Sequence, residues 1–266
     1  MSRAVAARVA LGAAALAGFV FLFLPIAVIV VFSFNEPVGR FNLVWHQATV
    51  ANWLHPFDRP DITTALWRSV RVAGCATVAA GSLGTAMALA LVRHRFRGGA
   101  LVELLLVLPL TTPEIVMGSS LALLFLDRGI DRGFWTIVIA HTLFCVSFVA
   151  ITVKARLRGF DWTLEDAAMD LGAGPWRTFT RVTFPLIVPG IMAAALLSFS
   201  LSIDDFIITF FVAGDDDTTF PLYVYGAFQR ELAPQVHVIT TGLLVLSMAA
   251  RSEEHTSELQ SHHDLV

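Results

Sequence analysis

Acidic side chains standing inside long apolar runs are the first residues in this sequence with chemistry to do. Glu114 sits between Pro113 and Ile115, and Asp204 with Asp205 interrupt a Phe/Ile/Leu-rich run. An Asp at the centre of a membrane helix costs about 2.5–3.5 kcal/mol by insertion scales, so such a residue is read first as functional. Ser198, Ser202, Asp205 and Thr209 recur at steps of four, three and four, which puts them on one helical face. Two readings stay open for this polar stripe. It lines a path for a small cation, with Glu114, Asp204 and Asp205 replacing part of the cation's lost hydration. Alternatively, the acids bond neighbouring helix backbones or hold a second subunit. Tyr225, with Tyr223, suits an interfacial anchor or a cation–π contact to an amine. His141 and Cys145 lie one helical turn apart, but no further ligand accompanies them, so no metal site is expected. Asp215, Asp216 and Asp217 read as a solvated turn or a contact for a partner, ahead of a calcium site.

The elements that must position these groups are membrane helices. Of the 266 residues 56% are hydrophobic and 15% charged, against about 25% charge in soluble domains. The mean hydropathy is +0.71. Runs of about 20 apolar residues cross a bilayer, and they are expected at Val9–Phe34, Thr64–Val92, Leu101–Leu126, Phe134–Val153 and Leu186–Ala213, with a sixth starting at Val236–Ala250. The first is too long for the apolar core of a cleaved leader. The second is rich in small residues, which allow close helix approach, and is expected at the centre. Pro109 and Pro113 interrupt the third. Residues 154–185 are the one long amphiphilic segment between spans: Asp161, Glu165 and Asp166 open a short helix where its dipole favours acids, Ala167 and Ala168 give it a flat face, and Gly172 ends it.

Orientation follows the bias of Lys and Arg. With the N-terminus inside, ten fall on inner segments (Arg3, Arg8, Arg93, Arg95, Arg97, Lys154, Arg156, Arg158, Arg177, Arg181). Seven fall on outer ones (Arg40, Arg59, Arg68, Arg71, Arg128, Arg132, Arg230). The 154–185 segment is then cytoplasmic. A phosphate-binding loop needs Lys after a Gly-rich turn, and the only lysine, Lys154, follows Ile-Thr-Val. The chain is expected to catalyse no reaction and to hold no cofactor. The two cysteines, Cys75 and Cys145, both stand in apolar runs and read as free thiols. Residues 251–266 break the sixth apolar run and resemble the in-frame translation of a sequencing adapter. They are set aside as a non-native tail, together with any metal role for His255, His262 and His263, which leaves the sixth span truncated and 1–250 as the transmembrane domain.

Asp166-Ala167-Ala168, then three residues, Gly172, nine residues, Val182, one residue and Phe184-Pro185 resemble the "EAA" loop of ABC-importer permeases. There the pattern begins Glu-Ala-Ala and closes Ile-x-Leu-Pro. Asp, Val and Phe replace Glu, Ile and Leu here, and the adjacent Glu165 is a second acid available for the first role. The resemblance implies an all-α helical bundle of the type-I importer permease fold with six helices. It implies that Glu165, Asp166, Ala167, Ala168, Gly172 and Pro185 couple to a cytoplasmic ATPase. The partners implied are a sister permease, two ATPase subunits holding ATP and Mg, an extracytoplasmic solute-binding protein and the lipid of a bacterial inner membrane, with no nucleic acid. Five further stretches, beginning at Pro113, His141, Leu157, Ser202 and Pro221, keep the order seen in permeases of spermidine/putrescine importers. They imply a polyamine cargo with Glu114, Ser202, Asp204, Asp205 and Tyr225 along its path. The alternatives are another solute of the same importer class, or a secondary transporter using Asp205 or Glu114 as proton carrier.

Overall fold

Prolines and acids decide where the apolar runs of this chain stay straight and where they break. The computed structural model describes residues 3–94 and 96–263, with side chains from Arg8 to Met248; Arg95 and the side chains of the tail histidines fall outside these limits. Its helices, in chain order, are α1 (Arg3–Phe32), α2 (Ala51–Leu54), α3 (Pro60–Arg93), α4 (Gly99–Thr111), α5 (Glu114–Asp127), α6 (Phe134–Arg158), α7 (Thr163–Asp170) and α8 (Pro175–Thr178). A π-helical turn (Phe179–Thr183) follows, and then α9 (Phe184–Ile203), α10 (Ile207–Val212), α11 (Phe220–Arg230) and α12 (Pro234–His263). One two-residue hairpin, β1 (Asn35–Glu36) and β2 (Gln47–Ala48), pairs Asn35 with Ala48 and Glu36 with Gln47.

Among the described residues four helices are long and apolar enough to cross a membrane: Arg8–Phe32, Pro60–Arg93, Phe134–Arg158 and Pro175–Ile203. The expected third span is a bent pair instead. α4 and α5 meet at 108°, because Pro113 cannot donate to the helix before it and disfavours helical geometry at Thr112. Thr112 is extended (ψ 130°). The expected fifth span is displaced as well. It begins at Pro175 and stops at Ile203, and α10 is a separate short helix after a break at Asp204–Phe206. The π turn takes up Pro185: a proline in the first turn of α9 has no N–H to return to the preceding carbonyls, and a local change of helical register accommodates that. The apolar part of α12 is short (Pro234–Met248). Its backbone stays helical through the polar tail, where no Pro or Gly stands in the way.

The chain divides into two compact units. The first runs to Thr63 and resumes at Val224. Here α1 packs against α12, and the connection after α1 is pinned by buried amides. Asn35 Nδ2 donates to Asn42 Oδ1 (2.7 Å), Asn42 Nδ2 to the Phe32 carbonyl (2.8 Å), and Asn52 Nδ2 to the Asn35 carbonyl (2.9 Å). Arg59 closes the same unit through Glu231 at 2.6 Å, and both acids beside it, Glu231 and Asp61, hold its guanidinium charged. None of the apolar window of α1 is buried, as suits a helix that faces lipid.

The second unit, Thr64–Tyr223, holds the core. α6, not α3, is its central helix: 61% of the apolar window of α6 is buried against 28% for α3. The small residues of α3 are spent on one face only. Val72, Ala76, Ala80 and Ala88 are fully buried, whereas Gly74 and Gly81 meet nothing. Gly84 sits where a Cβ would lie 2.8 Å from the Val149 side chain of α6, and Gly190 where one would lie 2.9 Å from Arg156 Cβ. These are the close crossings that glycine allows in a membrane. Gly118 serves the same end between α5 and α10, against Phe211 and the Ile208 backbone.

Candidate functional site

Two broken helices carry the intramembrane acids. Glu114 opens α5 just after the bend and is exposed. Asp204 caps the C-terminal end of α9 and is also exposed, whereas its neighbour Asp205 is buried. Gly118, one turn into α5, touches the first turn of α10, and Leu126 near the end of α5 shares a surface pocket with Gly214, just past α10. The two short helices therefore run side by side in the same direction. Glu114 and the Asp204–Phe206 break accordingly lie at their matching ends.

Asp205 is fully engaged. Its Oδ2 accepts from the Thr209 hydroxyl (2.9 Å) and the Thr209 amide (2.9 Å), its Oδ1 from the Ile208 amide (3.3 Å), and His141 Nε2 stands 3.2 Å from Oδ2. The carboxylate thus satisfies the first orphan amides of α10, as an N-terminal cap does. The same histidine reaches Ser202 Oγ through Nδ1 at 2.7 Å and Thr209 Oγ1 through Nε2 at 2.9 Å, and Cys145 donates to the Ser198 carbonyl at 3.6 Å. Ser198, Ser202, Asp205 and Thr209 do share a face, as their spacing predicts, but that face lies against α6 and is not open. Buried polar groups cost free energy unless bonded, and the bonds joining Ser202, Asp205 and Thr209 to His141 and to the first amides of α10 are how the chain breaks between α9 and α10 without stranding its backbone; among the described residues the buried Ser198 hydroxyl has no partner. Asp205 and Ser202 hold the break in shape, whereas Asp204 and Glu114 are the exposed acids of the two breaks. Tyr225 is half exposed and belongs to the first unit. His141 is the residue that sequence reasoning passed over. Searching for a metal partner hid the simpler signal, a lone histidine in an apolar helix facing a run of hydroxyls and an acid.

The 154–185 segment is smaller than its sequence suggests, because Lys154 still belongs to α6 and pairs with Glu103 of α4, while Pro175 already begins the helical stretch that continues into α9. Residues 159–174 remain as the projecting turn, and α7 is its helix. At the start, Thr163 donates its amide (3.0 Å) and hydroxyl (2.7 Å) to Asp161 Oδ1, which holds the Asp161 carboxyl below the usual carboxylate range. At the end, Gly172 adopts φ +84°. The Ala173 amide reaches the Ala168 carbonyl (3.1 Å) and the Gly172 amide the Met169 carbonyl (2.9 Å), the paired closure of a left-handed C-terminal cap. Asp166 and Ala167 face outward, Ala168 is half-buried, and Leu171 and Trp176 are 90% and 76% exposed. Glu165 does not face outward with Asp166. It is buried, paired with Arg93 (2.8 Å), and accepts the Thr183 hydroxyl, so it anchors α7 rather than meeting a partner. Pro185 follows the π turn inside the helical stretch. Asp217 is likewise internal: it bonds Arg68 (3.2 Å) and accepts the Phe134 amide at the start of α6 (3.0 Å).

Known proteins share both sequence and shape with this arrangement. The chain is 38% identical over 237 residues to the putrescine transport system permease protein PotI of Escherichia coli (strain K12), covering 86% of this chain and 83% of that protein. It is 36% identical over 230 residues to the spermidine/putrescine transport system permease protein PotC of the same organism, covering 86% of each. Among solved structures it is similar in fold to a bacterial ABC transporter that imports the polysaccharide alginate, with a TM-score of 0.67, 17% identity and 98% of each chain covered. A methionine ABC transporter in an inward-facing conformation matches with a TM-score of 0.57 at 14% identity, over 73% of this chain and 93% of that one. Residues 80–250, which include both breaks and the whole projecting turn, match one family profile, and this chain therefore belongs to the binding-protein-dependent transport system inner membrane components.

Proposed function

We propose that this chain is one of two permease subunits of an ATP-driven polyamine importer. The observation that carries the reading is the projecting turn: α7 is capped at both ends, anchored on its inner side by Glu165, and turns Asp166, Leu171 and Trp176 outward. That is a rigid, partly apolar knob for a groove on another protein, on a chain that has no phosphate-binding loop. ATP and Mg are held by two ATPase subunits that grip α7 and its counterpart on a sister permease. Closure of the ATPases draws the two knobs together and switches the path between outward- and inward-open states. An extracytoplasmic solute-binding protein delivers the cargo.

The relatives named for putrescine and spermidine/putrescine transport support a polyamine cargo. So does the chemistry of the breaks. Asp204 and Glu114 are exposed, and each marks a place where a helix opens its backbone, the usual construction of a mid-membrane binding site. A polycation crossing there exchanges water for carboxylate oxygens. The N-terminus and α7 lie on the cytoplasmic side, as the ten-to-seven bias of basic residues suggests.

The test is uptake of radiolabelled putrescine and spermidine into proteoliposomes holding the full complex, with ATP inside and the solute-binding protein outside. Uptake that requires both ATP and the ATPase subunits is expected. Uptake that persists without the ATPases and collapses with an uncoupler overturns the reading in favour of a proton-coupled secondary transporter.

A further inference from the structure

The inner side of α7 presents a feature that docking to an ATPase does not itself require. Glu165, only 3% exposed, joins three separate stretches of chain. Its Oε2 meets Arg93 Nη2 at 2.8 Å and its Oε1 Arg93 Nη1 at 3.2 Å, a two-pronged pair with the last residue of α3. The same Oε1 accepts the hydroxyl of Thr183, which is fully buried and closes the π turn at the root of α9. The Arg93 guanidinium also stands 5.9 Å from the centre of the Trp162 ring, in the turn leading into α7. A paired Arg–carboxylate fork is directional as well as strong; its Glu165 end is buried while its Arg93 end is 39% exposed, so separating it leaves a buried carboxylate without its counter-charge. This attachment therefore resists being pulled apart and transmits force.

What it is attached to gives the force a direction. α9 runs 20 residues from the π turn to Ile203, about 30 Å at the rise of an α-helix. It crosses α6 closely where Gly190 meets Arg156, and at its far end Ser202 and Asp205 bond His141. Both ends of α9 are thus pinned by polar contacts, one through buried Glu165 and Thr183 beneath the knob and one beside the acids at the helix break. α3 takes the other prong of the fork.

We propose that Arg93, Glu165 and Thr183 form a transmission joint that converts displacement of α7 into movement of α3 and α9, with Glu165 as its positioning residue. The proposal rests on the reading of α7 as the ATPase knob. Breaking the joint leaves the outward face of α7 untouched, so the ATPases still dock and still hydrolyse ATP, but less of each stroke reaches the transport path.

The experiment compares Arg93→Gln, Glu165→Gln, Thr183→Val and the double exchange Arg93→Glu with Glu165→Arg against the unmodified complex. Full complexes in proteoliposomes are assayed for labelled putrescine uptake and phosphate release together, and the readout is uptake per ATP hydrolysed. The single fork variants should lower this ratio about 2- to 30-fold, the range expected for residues that carry coupling, and the double exchange should recover most of it. A purely structural role would lower uptake and hydrolysis together, in proportion to the amount of assembled complex. An unchanged ratio in assembled single variants, or a double exchange no better than the worse single, overturns the joint. Should neither fork variant assemble, Thr183→Val decides, because it keeps the ion pair and removes one hydroxyl: a lowered ratio supports the joint and an unchanged one overturns it. Where the unmodified complex shows ATP-dependent uptake, failure of these predictions rejects the joint alone. Where it takes up putrescine without ATPases, the knob reading itself has failed.

Discussion

Neighbouring aspartates in this chain stand in opposite surroundings, Asp204 exposed and Asp205 buried. Asp204 and Asp205 share the same break, yet only Asp205 turns inward to meet two backbone amides, a hydroxyl and an imidazole. Removing one partner from such a cluster strands the rest, at about 1–3 kcal/mol for an unsatisfied buried group. Asp205→Asn should therefore lower the thermal midpoint of the purified complex and reduce uptake at every cargo concentration. Asp204→Asn should leave the midpoint in place and raise KM for putrescine. Thermal unfolding in detergent and an uptake titration separate the two. An Asp205→Asn complex with an unaltered midpoint and a raised KM would mean that Asp205 touches cargo after all. Helical spacing alone puts Asp205 on one face with Ser198, Ser202 and Thr209 and leaves open whether that face lines a path or packs on a neighbour. The spacing holds, but it cannot say which neighbour the shared face meets.

At the scale of elements, glycines set how closely helices cross and prolines set where they bend. The Gly84 crossing is the sharpest case: a Cβ there would meet the Val149 side chain at 2.8 Å and the Ala150 amide nitrogen at 3.0 Å, a backbone atom that cannot swing aside. Gly84→Val should force α3 and α6 apart and cost about 1–3 kcal/mol by overpacking. Gly81→Val, three residues earlier on α3 and facing open space, should cost little and act as the control. The yield and melting of the two complexes, compared by size-exclusion chromatography and thermal shift, check this. Equal behaviour of the two variants would refute the close crossing.

Across the whole molecule the question is which side each end of a helix faces. With the N-terminus inside, α1, α3, the bent α4–α5 pair and α6 bring the chain back to the inner side at α7. Basic residues crowd that side at Arg93, Arg97, Lys154, Arg156 and Arg158. In a background lacking Cys75 and Cys145, Leu171→Cys should react with an impermeant maleimide only after the membrane is opened. Val38→Cys should react from outside intact cells. Both positions are highly exposed in the chain itself, at 90% and 81%, so with the ATPase subunits left out of the cells a failure to label reports the membrane and not burial. The reverse pattern would invert the topology and remove α7 from any cytoplasmic partner.

Much of this protein is legible in one dimension. The apolar runs, the Gly172 stop, the acid-then-alanine start of α7 and the absence of a nucleotide loop are local, because hydropathy, helix caps and a left-handed glycine depend on a few adjacent residues. The interruption at Pro113 is legible too, though not its 108° angle, whereas Pro109, expected to share in it, stays within α4. What the tertiary structure decided is everything that needs a partner from a distant part of the chain. It made α6 the central helix in place of α3, turned Ser202, Asp205 and Thr209 inward onto His141, and took Glu165 off the exposed face of α7 to meet Arg93, 72 residues away. Each of these is a choice among faces of a helix whose own sequence leaves more than one acceptable, and only packing, which pairs buried charges and hydroxyls at hydrogen-bond distance, selects one.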